Sequence, residues 1–190
     1  MLPEGLPTTL PTDPVKRAGL VGAYAHAGQT RKPSARFPEG EPYMDHPDRV
    51  MLLLGDEEPD LLAAALLHDT VEDTQLTRED LLDLGFSTRT VGLVDAVTRR
   101  KGQSRLPDQT VDETYREFTA RVAKHHDKAA VTLKMADLAD NTDPALKRLD
   151  GVTMQSRYKQ ALETLKTALE EGDDTGHRLA LLVRQHLDAL

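Results

Sequence analysis

The sequence contains no cysteine and no tryptophan, and only 4% of its 190 residues are aromatic. The lack of cysteine excludes disulfides, thiolate zinc sites and cysteine nucleophiles, so any metal ion must be held by His, Asp, Glu and water. Because aromatic side chains are scarce, the core must be built from Leu, Val, Ala and Met. Such a core favours packed helices over a β-sandwich.

Long apolar runs are also missing. No segment approaches the roughly 20 apolar residues of a membrane span, and the N-terminus lacks the basic start and apolar stretch of a signal peptide. We therefore expect a cytoplasmic protein without a membrane partner, which the absence of cysteine also fits. The formal net charge of −8 argues against nucleic acid as a partner, because contact with its backbone needs a broad basic surface. A local basic cluster could still hold a small anionic ligand, and the oligomeric state is open.

Length and patterning predict one folded domain. Four prolines within residues 1–14 predict a flexible N-terminal tail, and residues 15–190 are expected to form the domain. Apolar residues at helical spacing predict an all-α bundle of about eight to ten helices, without strands, and residues 30–45 and 99–110 are expected to be loops. The predicted helices are Val15–Ala27, a short helix from His46, Pro59–Glu72, Thr77–Leu84, Thr88–Thr98, Val111–His125, Asp127–Asn141, Gln155–Glu170 and Gly176–Leu190.

The segment Ala63–Thr74 places four ionisable side chains in an otherwise apolar run. Glu72 lies four residues after His68, and Asp73 lies four after Asp69, so on a helix each pair shares a face. Burial of so many ionisable groups costs free energy unless a cation or a reaction requires them. A helix end with solvated acids is the competing interpretation, and the alanines and leucines before His68 argue against it.

Two other segments carry compatible side chains. Lys134, Asp137 and Asn141 occupy positions i, i+3 and i+7 among apolar residues, which is one helical stripe; a purely structural Lys–Asp pair is the alternative. His46 precedes Pro47, and a histidine in that setting is by itself more often a capping or packing residue than a metal ligand.

Together these segments predict a metal site. The proposed ligands are His46, His68, Asp69 and Asp137, which offer two nitrogens and two oxygens from three predicted helices. Imidazoles combined with carboxylates suit Mn²⁺, Fe²⁺ or Zn²⁺. Four protein ligands on an octahedral ion would leave positions for water and substrate.

The order of these residues resembles the HD superfamily of metal-dependent phosphohydrolases. More narrowly, the sequence resembles the hydrolase domain of the RelA/SpoT family and, by its size, the small alarmone hydrolases of the metazoan SpoT-homologue type. The similarity covers about residues 15–165. Ala25–Lys32 is similar to the signature A-H-x-G-Q-x-R-K, Glu41–Pro47 to E-P-Y-x-x-H-P, Ala65–Thr74 to A-L-L-H-D-V-V-E-D-T, and Lys134–Asn141 to K-L-A-D-R-L-x-N.

The resemblance implies an HD-type hydrolase that removes the 3′-pyrophosphate of the guanosine alarmones ppGpp and pppGpp, leaving GDP or GTP. It implies one Mn²⁺ ion, with Fe²⁺ or Zn²⁺ as alternatives, acting as a Lewis acid on the 3′-phosphate. Glu72 and Asp73 would orient or deprotonate the attacking water. The substrate contacts are expected from Arg31, Lys32, Lys101, Lys134, Asn141 and Tyr158.

Three departures from the family pattern lie beside the ligand set. Leu138 stands where the family usually has Arg, Asp140 stands where it often has His, and the loop between Lys32 and Glu41 is longer. The ligands and the acid pair survive these changes, whereas the neighbouring pocket is altered. Two other hypotheses therefore stay open: an HD phosphohydrolase acting on a nucleoside monophosphate, NADPH or a deoxynucleotide, and a non-catalytic alarmone-binding module.

Overall fold

The computed structural model describes residues 5–7, 9–34, 36–106, 109–146 and 152–190. Within them the chain forms ten α-helices, one 3₁₀ turn and one β-hairpin, which confirms the all-α prediction. The helices are α1 (Pro14–Ala25), α2 (Asp45–Leu54), α3 (Pro59–Leu67), α4 (Thr70–Asp73), α5 (Arg78–Asp83), α6 (Thr88–Val97), α7 (Tyr115–Ala123), α8 (Ala129–Asn141), α9 (Val152–Lys166) and α10 (Asp174–Ala189), with the 3₁₀ turn at Pro144–Leu146 and the strands β1 (Gln103–Leu106) and β2 (Gln109–Val111).

Helices α3 and α8 form the centre of the bundle. Helix α3 packs against α1, α2, α6 and α8, and α8 in turn packs against α2, α10, α9 and α7. Every residue from Ala130 to Asp140 is buried. Helix α1 approaches α3 closely at Gly22, where an added Cβ would lie 3.0 Å from the carbonyl oxygen of Leu66. The small residues on these helices therefore let their backbones come near one another.

The predicted helix boundaries follow local capping chemistry. The Thr77 side chain accepts from the Asp80 amide, and the Asp80 carboxylate accepts from the Thr77 amide at 2.8 Å. This reciprocal pair is the capping box that the sequence predicts. Gly85, at φ 83°, follows the end of the same helix, a backbone conformation that glycine adopts without a steric penalty.

The predicted helix from Pro59 to Glu72 is instead two helices, and this corrects the sequence analysis. Helix α3 ends at Leu67 and α4 begins at Thr70, so His68 and Asp69 lie at the break between them. The imidazole of His68 contacts the carbonyl oxygen of Ala65 at 2.8 Å. His68 and Asp69 nevertheless keep right-handed helical backbone angles, and the Asp73 amide donates to the Asp69 carbonyl at 2.9 Å.

The β-hairpin is a second difference from the prediction, because the sequence pattern predicts no strand. Strands β1 and β2 pair in antiparallel fashion within a segment predicted as a loop followed by a helix. The base of the hairpin is closed by the Glu113 amide, which donates to the Arg100 carbonyl at 2.8 Å, and by the Gly102 amide, which donates to Asp112 at 2.9 Å. These contacts join residues 10 to 13 positions apart in the sequence. The pattern of apolar residues does not predict such pairing.

The N-terminal segment contacts the bundle before α1 begins. Leu6 is buried and Leu10 is half-buried, and both pack against the hydrophobic core. The division of the chain at residue 14 stays a prediction. No helix in the described part of the chain is long and apolar enough to cross a bilayer.

Candidate metal centre

Two imidazoles and two carboxylates converge from three places in the fold. His46 comes from the first turn of α2, His68 and Asp69 from the break after α3, and Asp137 from α8. His46 Nε2 lies 3.1 Å from Asp137 Oδ1 and 3.6 Å from Asp69 Oδ2. His68 Nε2 lies 3.2 Å from Asp69 Oδ1 and 3.7 Å from Asp137 Oδ1. Ligand atoms of His46, His68 and Asp69 all lie within 4.8 Å of one another.

The hydrogen bonding of His68 fits a cation at this point. Its Nδ1 faces the Ala65 carbonyl oxygen, which can only accept, so Nδ1 carries a proton and Nε2 is the ring atom left for a cation. Nε2 is buried and has no hydrogen-bond partner among the described residues. Carboxylate oxygens that face a buried ring nitrogen are costly unless a positive charge, either a proton or a metal ion, lies between them. The donor set thus suits a divalent ion.

The electrostatics of the cluster also favour a cation. Burial works to lower the pKa of His68, but Asp69 and Asp137 outweigh it and raise this pKa to about 10. Burial works to raise the pKa of Asp69, yet His68 holds it well below its ordinary value. Burial also works to raise the pKa of Asp137, but the Lys134 ammonium outweighs it and holds this pKa well below its ordinary value. Both aspartates are therefore ionised, and they attract positive charge to the two imidazole nitrogens.

Asp137 is fixed by neighbours on its own helix. Lys134 Nζ donates to Oδ2 at 2.6 Å, and Asn141 Nδ2 donates to Oδ1 at 2.6 Å. The ammonium of Lys134 also lies 4.7 Å from the centroid of the Phe118 ring. The stripe predicted from the sequence is thus one hydrogen-bonded unit, in which Lys134 and Asn141 contact the proposed ligand directly.

The acid pair lies on α4. Glu72 Oε2 accepts from the Arg99 amide at 2.9 Å. Lys101 Nζ lies 3.8 Å from Glu72 Oε1 and 4.0 Å from Asp73 Oδ1. Lys101 is half exposed, so it stands beside both acids at the edge of the site.

Tyr43 connects the acid pair to the ligands, a contact the sequence analysis does not identify. Its hydroxyl lies 2.9 Å from Asp69 Oδ2 and 2.6 Å from Asp73 Oδ2. The ring stacks on His26 with the centroids 4.2 Å apart. Burial and both carboxylates raise the pKa of Tyr43 above its ordinary value, so the hydroxyl keeps its proton. The tyrosine of the E-P-Y-x-x-H-P signature was the available signal.

The predicted substrate contacts differ in how far they are exposed. The Arg31 side chain is 10% exposed and turns inward, where Nη2 donates to Asn141 Oδ1 at 2.9 Å. Lys32 is exposed in the loop that follows. Tyr158 is half-buried and meets the edge of the Tyr115 ring, with the centroids 6.2 Å apart.

A second layer of charged residues lies beside His46. The sequence pointed to one of them, Asp140, only as a difference from the family pattern. Asp140 is 3% exposed and lies 2.7 Å from His46 Nδ1. Arg49 and Glu41 extend this layer outward. Leu138, at the position where the family usually has Arg, is fully inside the hydrophobic core, so it contributes packing there.

Comparison with known proteins places the chain among HD domains. The HD domain family matches residues 23–167. The bifunctional (p)ppGpp synthase/hydrolase SpoT of Escherichia coli K12 is 34% identical over 165 residues, covering 84% of this chain and 22% of SpoT. The guanosine-3′,5′-bis(diphosphate) 3′-pyrophosphohydrolase of Vibrio cholerae is 33% identical over 155 residues, covering 80% of this chain and 20% of the relative. The chain thus spans about a fifth of the length of the curated relatives it matches.

A solved structure agrees with these relatives over a comparable length. The structure of a metazoan ortholog of SpoT, described as hydrolysing ppGpp, superposes with a TM-score of 0.71 at 25% identity, covering 94% of this chain and 98% of the other. The family match spans more than half of the chain. The chain is therefore a member of the HD domain family.

Proposed function

We propose that the protein is a metal-dependent pyrophosphohydrolase that converts ppGpp and pppGpp into GDP or GTP plus pyrophosphate. The observation that carries this proposal is the convergence of four ligand groups around the buried, unpartnered His68 Nε2. Two further carboxylates, Glu72 and Asp73, lie on α4, which begins directly after Asp69. Relatives named for alarmone hydrolysis supply the substrate class.

The proposed roles follow from the contacts of the chain. A divalent ion at His46, His68, Asp69 and Asp137 would supply Lewis acidity toward a phosphate oxygen and make water easier to deprotonate. Glu72 accepts the proton of the attacking water, while the Tyr43 hydroxyl holds Asp73 in a fixed relation to Asp69.

The basic residues have a separate role in this proposal. Lys101, beside both acids, and Lys32, exposed on the other loop, neutralise the oxygens of the departing pyrophosphate. The proposed substrate contacts beside Asp137 are Lys134 and Asn141, which donate to it, and Arg31, which donates to Asn141. Tyr158 is proposed to border the nucleotide.

The finer assignments belong to the same proposal. Mn²⁺ is the proposed ion, with Fe²⁺ and Zn²⁺ as alternatives, because mixed imidazole and carboxylate ligands accept all three. The partner is a small nucleotide and the compartment is the cytoplasm, since a chain without cysteine requires no oxidising environment. Residues 1–14 are proposed as a tail and residues 15–190 as the hydrolase domain.

A nucleotide panel tests the substrate. The pure protein, loaded with Mn²⁺, is expected to release pyrophosphate from ppGpp and pppGpp, and much less product from nucleoside monophosphates, NADPH or deoxynucleotides. Orthophosphate released mainly from the latter group would support the second enzyme hypothesis, which the buried Leu138 in place of Arg favours. Tight binding of ppGpp without turnover in the presence of any of the three metals would support a binding module.

Replacing Glu72 by glutamine tests the proposed base. Glutamine can still accept from the Arg99 amide but cannot take a proton from water, so we expect kcat to fall by about 10²- to 10⁴-fold. The Kd for Mn²⁺ should stay within about twofold, because Glu72 is not a proposed ligand. Single-turnover ppGpp hydrolysis and a Mn²⁺ titration measure the two quantities. Glu79→Gln, at an exposed glutamate on α5, is the matched control. A normal kcat in Glu72→Gln would remove this residue from the mechanism.

A further inference from the structure

The two edges of the His46 ring face different surroundings. Nε2 points to the ligand cluster, 3.1 Å from Asp137 Oδ1. Nδ1, on the other edge, lies 2.7 Å from Asp140 Oδ2. Both His46 and Asp140 are buried, at 1% and 3% exposure. A carboxylate can only accept a hydrogen bond, so Nδ1 carries a proton, and a cation bound at the cluster would take the lone pair of Nε2.

Asp140 is itself held by several donors. Arg49 Nε donates to Oδ1 at 2.5 Å, and Arg49 Nη2 lies 3.3 Å from Oδ2. Arg31 Nη1 lies 3.4 Å from Oδ2. A buried carboxylate with this many charge-assisted contacts has a fixed orientation, and it transfers that orientation to the imidazole it contacts.

Arg49 is fixed in the same manner by a further carboxylate. Its Nη1 and Nη2 donate to Glu41 Oε2 and Oε1 at 2.9 and 2.8 Å, a bidentate pair. Glu41 is 4% exposed. The order outward from the cluster is thus imidazole, carboxylate, guanidinium and carboxylate. The three outer groups alternate in charge, so Asp140, Arg49 and Glu41 each contact a partner of opposite sign.

The position of Asp140 excludes a direct role as a ligand of the same ion. Its oxygens lie on the Nδ1 edge of His46, away from Nε2, and they are engaged by Arg49 and Arg31. Asp140 follows Asp137 by three residues on α8, so one helix face presents a ligand and, one turn later, the group behind another ligand.

We propose that Asp140 is a positioning residue that fixes His46 as an Nε2 metal ligand, and that Arg49, clamped by Glu41, holds Asp140 in place. The inference rests on the proposed function only in requiring the divalent ion. A carboxylate behind a ligating histidine sets the tautomer, orients the ring and increases its basicity. Loss of such a partner typically costs about 10- to 100-fold in metal affinity.

The test compares Asp140→Asn and Asp140→Ala in the full chain. Mn²⁺ titrations of the metal-free proteins, followed by electron paramagnetic resonance, should show Kd raised about 10-fold in Asp140→Asn and up to about 100-fold in Asp140→Ala. Long-range ¹H–¹⁵N correlation spectra of the Zn²⁺-loaded proteins report which nitrogen of each histidine ring carries the proton, and they do so without turnover. His46 should be protonated at Nδ1 in the wild type and in Asp140→Asn, whose amide oxygen still accepts, and should lose this preference in Asp140→Ala.

Matched controls separate the possible failures. Asp188→Asn removes the same charge at an exposed site on α10 and should leave both readouts unchanged. If Asp140→Ala does not fold, the nearly isosteric Asp140→Asn decides the question. A Kd in Asp140→Asn within twofold of the wild type would overturn the inference. A wild-type protein that binds no Mn²⁺, Fe²⁺ or Zn²⁺ would instead overturn the proposed function.

Discussion

Replacing Asp69 by alanine is expected to abolish both metal binding and ppGpp hydrolysis while leaving the fold intact. Asp69 supplies oxygens 3.2 Å from His68 Nε2 and 3.6 Å from His46 Nε2, so its removal opens the ligand set at the centre. The side chain is 25% exposed, and Tyr43 keeps Asp73 as a hydrogen-bond partner at 2.6 Å. The buried imidazoles of His46 and His68 keep the Asp137 carboxylate at 3.1 and 3.7 Å, so the free energy of unfolding should fall by only about 1 kcal/mol.

The measurement combines three readouts on the same protein. The Kd for Mn²⁺ should rise by more than about 100-fold, which exceeds the effect of losing a residue behind a ligand. Hydrolysis of ppGpp should fall to the rate without enzyme, and the thermal transition in chelator should match the wild type. Asp83→Ala, an exposed carboxylate on α5, is the control. Retained turnover in Asp69→Ala would mean that the reaction does not depend on this metal centre.

Replacing Asp137 by alanine should remove the metal and also destabilise the protein. The Lys134 ammonium donates to Asp137 at 2.6 Å and is 9% exposed, so the variant leaves a buried charge without its partner. Breaking a buried ion pair from one side typically costs about 3 to 5 kcal/mol. For a domain of this size the melting temperature should then fall by about 6 to 20 °C.

A double variant separates the two effects of this substitution. Asp137→Ala combined with Lys134→Met removes the stranded charge and should regain much of the lost stability, because a buried pair is often replaceable by apolar residues. The double variant should still bind no metal. Differential scanning calorimetry in chelator and a Mn²⁺ titration give both answers. Equal stability of the single and double variants would show that the Lys134 charge is not what destabilises Asp137→Ala.

The elements of the site were predictable from sequence to different degrees. His68, Asp69 and Asp137 stand out because each is an ionisable residue in an apolar context, whereas His46 was proposed because of the other segments and the motif around it. The structure brings all four together. Their roles as ligands stay predictions until metal is measured. The helices were predictable for a related reason, since apolar spacing and capping residues are local properties of the chain.

The parts that could not be predicted depend on contacts between distant residues. Asp140 and Arg49 meet across 91 positions of sequence, and nothing in the spacing of either residue announces the partner. Tyr43 meets Asp69 and Asp73 for the same reason. The break after Leu67 was not predicted either. Local patterns therefore give the candidates, and tertiary packing decides which of them touch.

The burial of α8 on all its sides constrains how the protein can change during evolution. Side chains from Ala130 to Asp140 are enclosed all the way around the helix axis, so the helix cannot slide or rotate to absorb a change in length. Deletion of one residue before Asp137 would turn everything that follows by about 100° and carry the carboxylate into an apolar layer. Natural variants of this lineage that keep its chemistry should therefore show neither insertions nor deletions within this helix, whereas surface loops can vary in length.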